Sequence, residues 1–136
     1  MLSEQDQQLL TEARRIIELR QRPDWHQVGC AMRTRSGRMF SAVHLEAYVG
    51  RIAVCTEAIA IGMGAAEGDT DIETIVAVNR RGEVVSPCGM CRELITDYSS
   101  SAQVILSHPE GLRLVRIQEL LPAKYARTDS QPLEST

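Results

Sequence analysis

Cys88 and Cys91 stand three residues apart, and Cys55 lies further upstream with Glu57 two positions beyond it. Two thiols at this spacing in the first turn of a helix project from the same end and can chelate one tetrahedral ion. The unpaired N–H groups and partial positive charge of a helix N-terminus also favour the thiolate form that a metal needs. By itself a Cys-x-x-Cys pair divides between zinc binding and redox use. Cys55 shifts the balance, because it precedes a second helical segment and brings a carboxylate with it. Three thiolates leave one coordination position open, which marks a catalytic rather than a structural zinc site. Glu57 is then placed to carry protons. The competing reading is a closed, non-catalytic zinc module in which Cys30 or His44 supplies a fourth ligand and Glu57 is an ordinary helix-turn carboxylate. Cys30 sits in an apolar run and reads as a small buried hydrophobe.

The elements that must present these residues can be traced along the chain. Ser3 and Asp6 have the spacing of a capping box, and Leu9, Leu10, Ala13, Ile16 and Ile17 follow at helical intervals. This predicts a first helix that ends near Gln21, ahead of Pro23. Residues 28–33 and 38–43 flank Ser36 and Gly37 and read as a hairpin. Residues 44–54 read as a loop feeding a helix from about Cys55, which ends among the glycines between 62 and 68. The β-branched run 72–78 has the pattern of a strand buried on both faces, and Arg80, Arg81 and Gly82 turn the chain as a solvated loop. Pro87 suits the first turn of a helix running from Cys88 to about Ser99. Residues 103–107 form another strand, and 108–111 a turn in which His108 faces solvent. Residues 112–116 form a last strand and 117–121 a short closing helix. Met63 and Met90 read as packing residues. Two strands, then helix, strand, helix, strand, is the order of a sheet with parallel members covered by helices.

The bulk numbers exclude other classes. The 136 residues carry 43% hydrophobic and 24% charged residues, an ordinary globular composition. A net charge of −3 and an aromatic fraction of 4% provide neither a phosphate-neutralising field nor base-stacking rings, so polymeric nucleic acid is not an expected partner. Glu4, Asp6, Glu12, Arg14, Arg15 and Glu18 leave no room for an apolar export signal in the first twenty residues. No run is long and apolar enough to span a bilayer. A cytosolic location without disulfides is therefore expected.

The joint motif of Cys55, Thr56 and Glu57 with Pro87, Cys88, Gly89, Met90, Cys91 and Arg92 resembles the cytidine deaminase family in its three-cysteine form. The resemblance runs over roughly residues 24–125. It includes the first hairpin, the sugar-binding segment around residues 43–47, and the closing stretch from Glu119 to Tyr125. It implies a three-layer α/β/α cytidine-deaminase-like fold with a mixed five-stranded sheet. The zinc ligands would be Cys55, Cys88 and Cys91, and Glu57 the proton shuttle in the hydrolytic deamination of a cytosine nucleoside. Arg92 would lie behind the ligands, donating toward a thiolate to offset the excess negative charge, a task that an arginine at the position of Ala58 shares in other members. His44, Glu46, His26 and Tyr125 are the expected substrate contacts. His44 and Ala47 replace the two asparagines usual in the sugar-binding segment. Residues around 85–88 and 120–125 also resemble blasticidin-S deaminases, which act on a cytosine-containing nucleoside antibiotic, so a modified cytosine nucleoside or a free base stands beside cytidine and deoxycytidine. The family further implies a homotetramer whose neighbours complete each site, with Tyr125 and the small residues between Ala58 and Ala66 at the interfaces. The expected domain is residues 1–125, with 126–136 as a flexible tail.

Overall fold

The computed structural model describes residues 2–127. Helix α1 (Glu4–Arg20) starts from the capping box that the sequence foretells. The Ser3 hydroxyl accepts from the Asp6 amide at 3.1 Å, and the Asp6 carboxylate accepts from the Ser3 amide at 3.3 Å. These two bonds satisfy helix donors that would otherwise be orphaned. The helix stops at Gln21, whose backbone is extended.

Strands β1 (Val28–Thr34) and β2 (Met39–Val43) form the hairpin, and β3 (Ile72–Asn79) pairs antiparallel with the other edge of β1. Strand β5 (Gln103–His108) runs parallel to β3, and β6 (Gly111–Arg116) turns back antiparallel on β5. The hydrogen-bonded order is β2-β1-β3-β5-β6, the expected mixed sheet of five strands. A two-residue strand, β4 (Val84–Val85), adds to β3 beyond that path. It carries too few residues to show an alternation, which is why the sequence gives no sign of it.

Both faces of the sheet are covered. On one, Leu9, Leu10, Ala13 and Ile17 of α1 pack on Ala31, Val76, Val78 and Ile105. On the other, Ala60 and Ile61 of helix α2 (Thr56–Ala66), with Cys91 and Ile95 of helix α3 (Gly89–Tyr98), pack on Cys30, Met32, Ile75, Ala77 and Val104. Successive strand side chains point to opposite faces, so a central strand sandwiched by helices must be apolar at nearly every position. β1 and β3 meet that requirement. Gly29 lets α1 approach closely, since a Cβ there would lie 2.8 Å from Ile17 Cβ. Arg33 fastens the contact, with Nη2 donating to Asp6 at 2.9 Å and to Glu73 at 2.8 Å.

Two local expectations are corrected. Pro87 precedes the cap residue Cys88 rather than lying inside the first turn of α3. Met63 and Met90 are exposed instead of packed; Met90, at 79% exposure, sits on the outer side of a turn whose inner side is taken by Cys91. The short closing helix forms where expected, as a 3-10 helix over Ile117–Leu120. Most of the tail expected at 126–136 lies outside the described residues. Among the described residues no helix is long and apolar enough to cross a membrane.

Candidate active site

Cys55 and Cys88 are the cap residues of α2 and α3, and Cys91 is the third residue of α3. The two helix starts face each other, which brings Cys55 Sγ to 3.4 Å from Cys88 Sγ. All three sulfurs lie within 4.8 Å of one another, and neither Cys30 nor His44 belongs to the group. Zn–S bonds of about 2.3 Å at tetrahedral angles would put the sulfurs about 3.8 Å apart, so the group fits one zinc ion.

Glu57, in the first turn of α2, is 6% exposed. Burial pushes its carboxyl above the ordinary range, against the opposing pull of its own backbone N–H and the Cys91 thiol. Burial likewise raises Cys91, with the charges of Glu57 and Cys55 adding to it, and raises Cys55, which Cys88 also disfavours in charged form. Burial also acts upward on Cys88, but the backbone N–H of Cys91 outweighs it with help from the neighbouring thiols and Met90, leaving Cys88 below the usual thiol value. Three thiols and a carboxyl crowded in this way cannot all ionise alone. A divalent cation removes the conflict, which is a second respect in which the donor set suits zinc.

The helix start is braced from beneath. The Cys30 thiol donates to the Thr56 carbonyl at 3.3 Å, and the Thr56 hydroxyl donates to the Ala42 carbonyl at 2.8 Å. Cys30 is the buried hydrophobe that the sequence indicates, its thiol pushed up to about 12 by burial.

A cavity of about 240 Å³ opens over the cluster, lined by Cys55, Glu57 and Cys88 at its reactive end and by His44, Ser86 and four apolar side chains, Val28, Ala53, Val54 and Val85, elsewhere. That is the small end of ligand cavities, with room for a single ring and part of its substituent. Of the substrate contacts expected from the sequence, His44 lines it. His26, Glu46 and Tyr125 do not. His26 Nδ1 lies 2.9 Å from the His44 carbonyl, Glu46 accepts from the amide of Ala47 at 2.9 Å, and Tyr125 is 78% exposed on the surface. Arg92 is also placed differently from expectation. Its guanidinium donates to the carbonyls of Pro87 at 2.9 Å and Leu120 at 3.1 Å and to the Ser86 hydroxyl at 2.8 Å, so it spends itself on oxygens rather than on a thiolate. It braces the loop that carries Cys88. Ser86 and Val85 are site residues that the sequence did not single out as contacts, and their position beside a recognisable Pro-Cys pair was the available signal.

The family model for the cytidine and deoxycytidylate deaminase zinc-binding region matches residues 3–107. Blasticidin-S deaminase of Bacillus cereus is 46% identical over 93% of this chain and 96% of its own length. Cytidine deaminase of Halalkalibacterium halodurans is 27% identical over 76% of this chain and 80% of its own. Among solved structures, cytidine deaminase from Mycobacterium tuberculosis superposes with a TM-score of 0.76 at 23% identity, covering 89% of this chain and 97% of that one.

Proposed function

The chain belongs to the cytidine and deoxycytidylate deaminase family, a zinc-dependent hydrolytic deaminase by fold and motif, and from that premise we propose that its substrate is a cytosine nucleoside. The observation that carries this reading is the buried Glu57 carboxyl opening, together with Cys55 and Cys88, onto a cavity sized for one ring. Cys55, Cys88 and Cys91 would hold the zinc. When bound, zinc supplies the Lewis acidity that makes water nucleophilic at neutral pH. Glu57 takes a proton from the attacking water and delivers it to the ring nitrogen beside the amidine carbon. A second proton passes through the same carboxylate to the exocyclic nitrogen. The C–N bond then breaks, leaving a ring carbonyl and ammonia. Glu57 lies two residues from Cys55 in the first turn of α2 and opens onto the same cavity, which places it to carry both protons.

Cytidine and deoxycytidine are the simplest substrates of this class. A modified cytosine nucleoside of the blasticidin S type is the second reading, favoured by the 46% identity and by the position of Glu46 outside the cavity lining. Residues 1–125 would act as one catalytic domain, assembled into a homotetramer and serving pyrimidine salvage in the cytoplasm. Ammonia release should be measured over cytidine, deoxycytidine, cytosine, blasticidin S, adenosine and guanine. Release from a cytosine nucleoside is expected. Release from adenosine or guanine alone would overturn the assignment.

A further inference from the structure

The three sulfurs are not held equally. Cys91 is buried in α3, and Cys55 starts a helix that Cys30 and Thr56 brace from the sheet. Cys88 is exposed, and the chain leading to it leaves the sheet after Val85. Arg92 secures that chain, because its guanidinium reaches both residues ahead of Cys88, at the Ser86 hydroxyl and the Pro87 carbonyl. Its Nη1 donates instead to the carbonyl of Leu120, 28 residues further on. The loop before Cys88 and the closing segment of the chain thus share one rigid, planar cation.

The closing segment is itself fixed at both ends. Ile117 is fully buried, and its amide donates to the Ala102 carbonyl at 2.9 Å. At the far end the Lys124 ammonium donates to Glu93 at 3.1 Å, to Asp97 at 2.6 Å and to the Tyr125 carbonyl at 3.0 Å, which uses all three of its protons. Glu93 and Asp97 stand four apart on α3, a like-charge pair that repels unless a cation lies between them. Lys124 is that cation, and it seats the segment against the part of α3 that follows Cys91 and Arg92. Between the two anchors Ala123 has a φ of 54°, a left-handed conformation that a residue with a side chain keeps only where its surroundings impose it.

We propose that residues 117–125 form a latch that retains the zinc. Docked on α3 through Lys124, the segment holds the Leu120 carbonyl in place; that carbonyl orients Arg92, and Arg92 fixes the loop that presents Cys88. Neither Lys124 nor Leu120 belongs to the sulfur cluster or lines the cavity. They act on the metal through Arg92, as positioning residues. The latch presupposes zinc on Cys55, Cys88 and Cys91.

The rate of zinc release from the loaded protein into excess chromogenic chelator, read without denaturant, tests it. Lys124→Ala should release zinc about three- to tenfold faster than the wild type, the range for losing partly exposed charge-assisted bonds. Lys124→Arg keeps the cation and should stay within about twofold of the wild type. Raising the salt to about 0.5 M should narrow the gap between Lys124→Ala and the wild type, because only the wild type has these ion pairs to screen. Arg92→Lys cannot span three acceptors and should release zinc faster still. Adding Lys124→Ala to it should then bring little further acceleration, since both changes break one path. A release rate unchanged in Lys124→Ala overturns the latch. So do effects of the two substitutions that multiply, as they would if each merely loosened the fold. Either result leaves the zinc and deaminase assignments intact, whereas a wild type that binds no zinc removes both.

Discussion

Glu57 is buried, and loss of solvent around its charged form is what raises its carboxyl above the ordinary value. Glu57→Gln preserves shape and removes the proton carrier, so turnover should fall by about 10²- to 10⁴-fold while bound zinc and folding survive. Zinc content measured beside ammonia release checks this, and activity retained with zinc in place contradicts the assigned role. The raised pKa has a stability consequence in the metal-free protein. Between the ordinary carboxyl value of 4.5 and the raised one, the folded state holds a proton that the unfolded chain has lost. Stability therefore falls as pH rises through that window. Metal-free Glu57→Gln should be more stable than metal-free wild type at neutral pH, with the gap closing as pH drops toward about 4.5. Denaturant midpoints across that range decide it, and a pH-independent gap would exclude this origin.

At the scale of elements, α1 does no chemistry, yet it supports the sheet that carries the rest. Asp6 is buried, which acts upward on its pKa, but its bonds to Arg33 and Ser3 prevail and hold it below the usual value. Its contribution is present above pH 3.8 and is lost as pH falls through the lowered folded value. Asp6→Ala removes one of the two carboxylates on a buried guanidinium, and should cost about 3 kcal/mol in urea unfolding. A loss within about 0.5 kcal/mol, the range of ordinary surface changes, would show that Glu73 suffices. This element was legible in full, because a cap signal and helical periodicity are local. So were the hairpin around Gly37, the doubly buried β3, and the convergence of Cys55, Cys88 and Cys91, whose spacing and neighbours carry the chemistry with them. The acceptors of Arg92 were not legible, since carbonyl oxygens exist at every residue and only the fold selects Leu120. The outward turn of Met90 was missed for a related reason: hydrophobicity states a preference for burial, whereas Cys91 takes the inward position next to it.

At the scale of the whole molecule, the segment that supplies Ala53 and Val54 to the cavity also carries exposed apolar side chains. The segment between β2 and α2 exposes Leu45, Val49 and Ile52, with Tyr48 at 97%, and Met90 projects from α3. Exposed apolar side chains gathered on one segment suit an interaction site, which supports the proposed homotetramer. Light scattering of Ile52→Glu should show a smaller species than the wild type, and identical masses would place the interface elsewhere. Assembly, substrate choice and proton transfer all presuppose one metal held by three sulfurs with a fourth position open. Zinc K-edge absorption on the purified protein tests that directly. The account predicts three sulfur neighbours at about 2.3 Å and one lighter atom. Four protein ligands closing the coordination sphere, or fewer than three sulfurs, would contradict it.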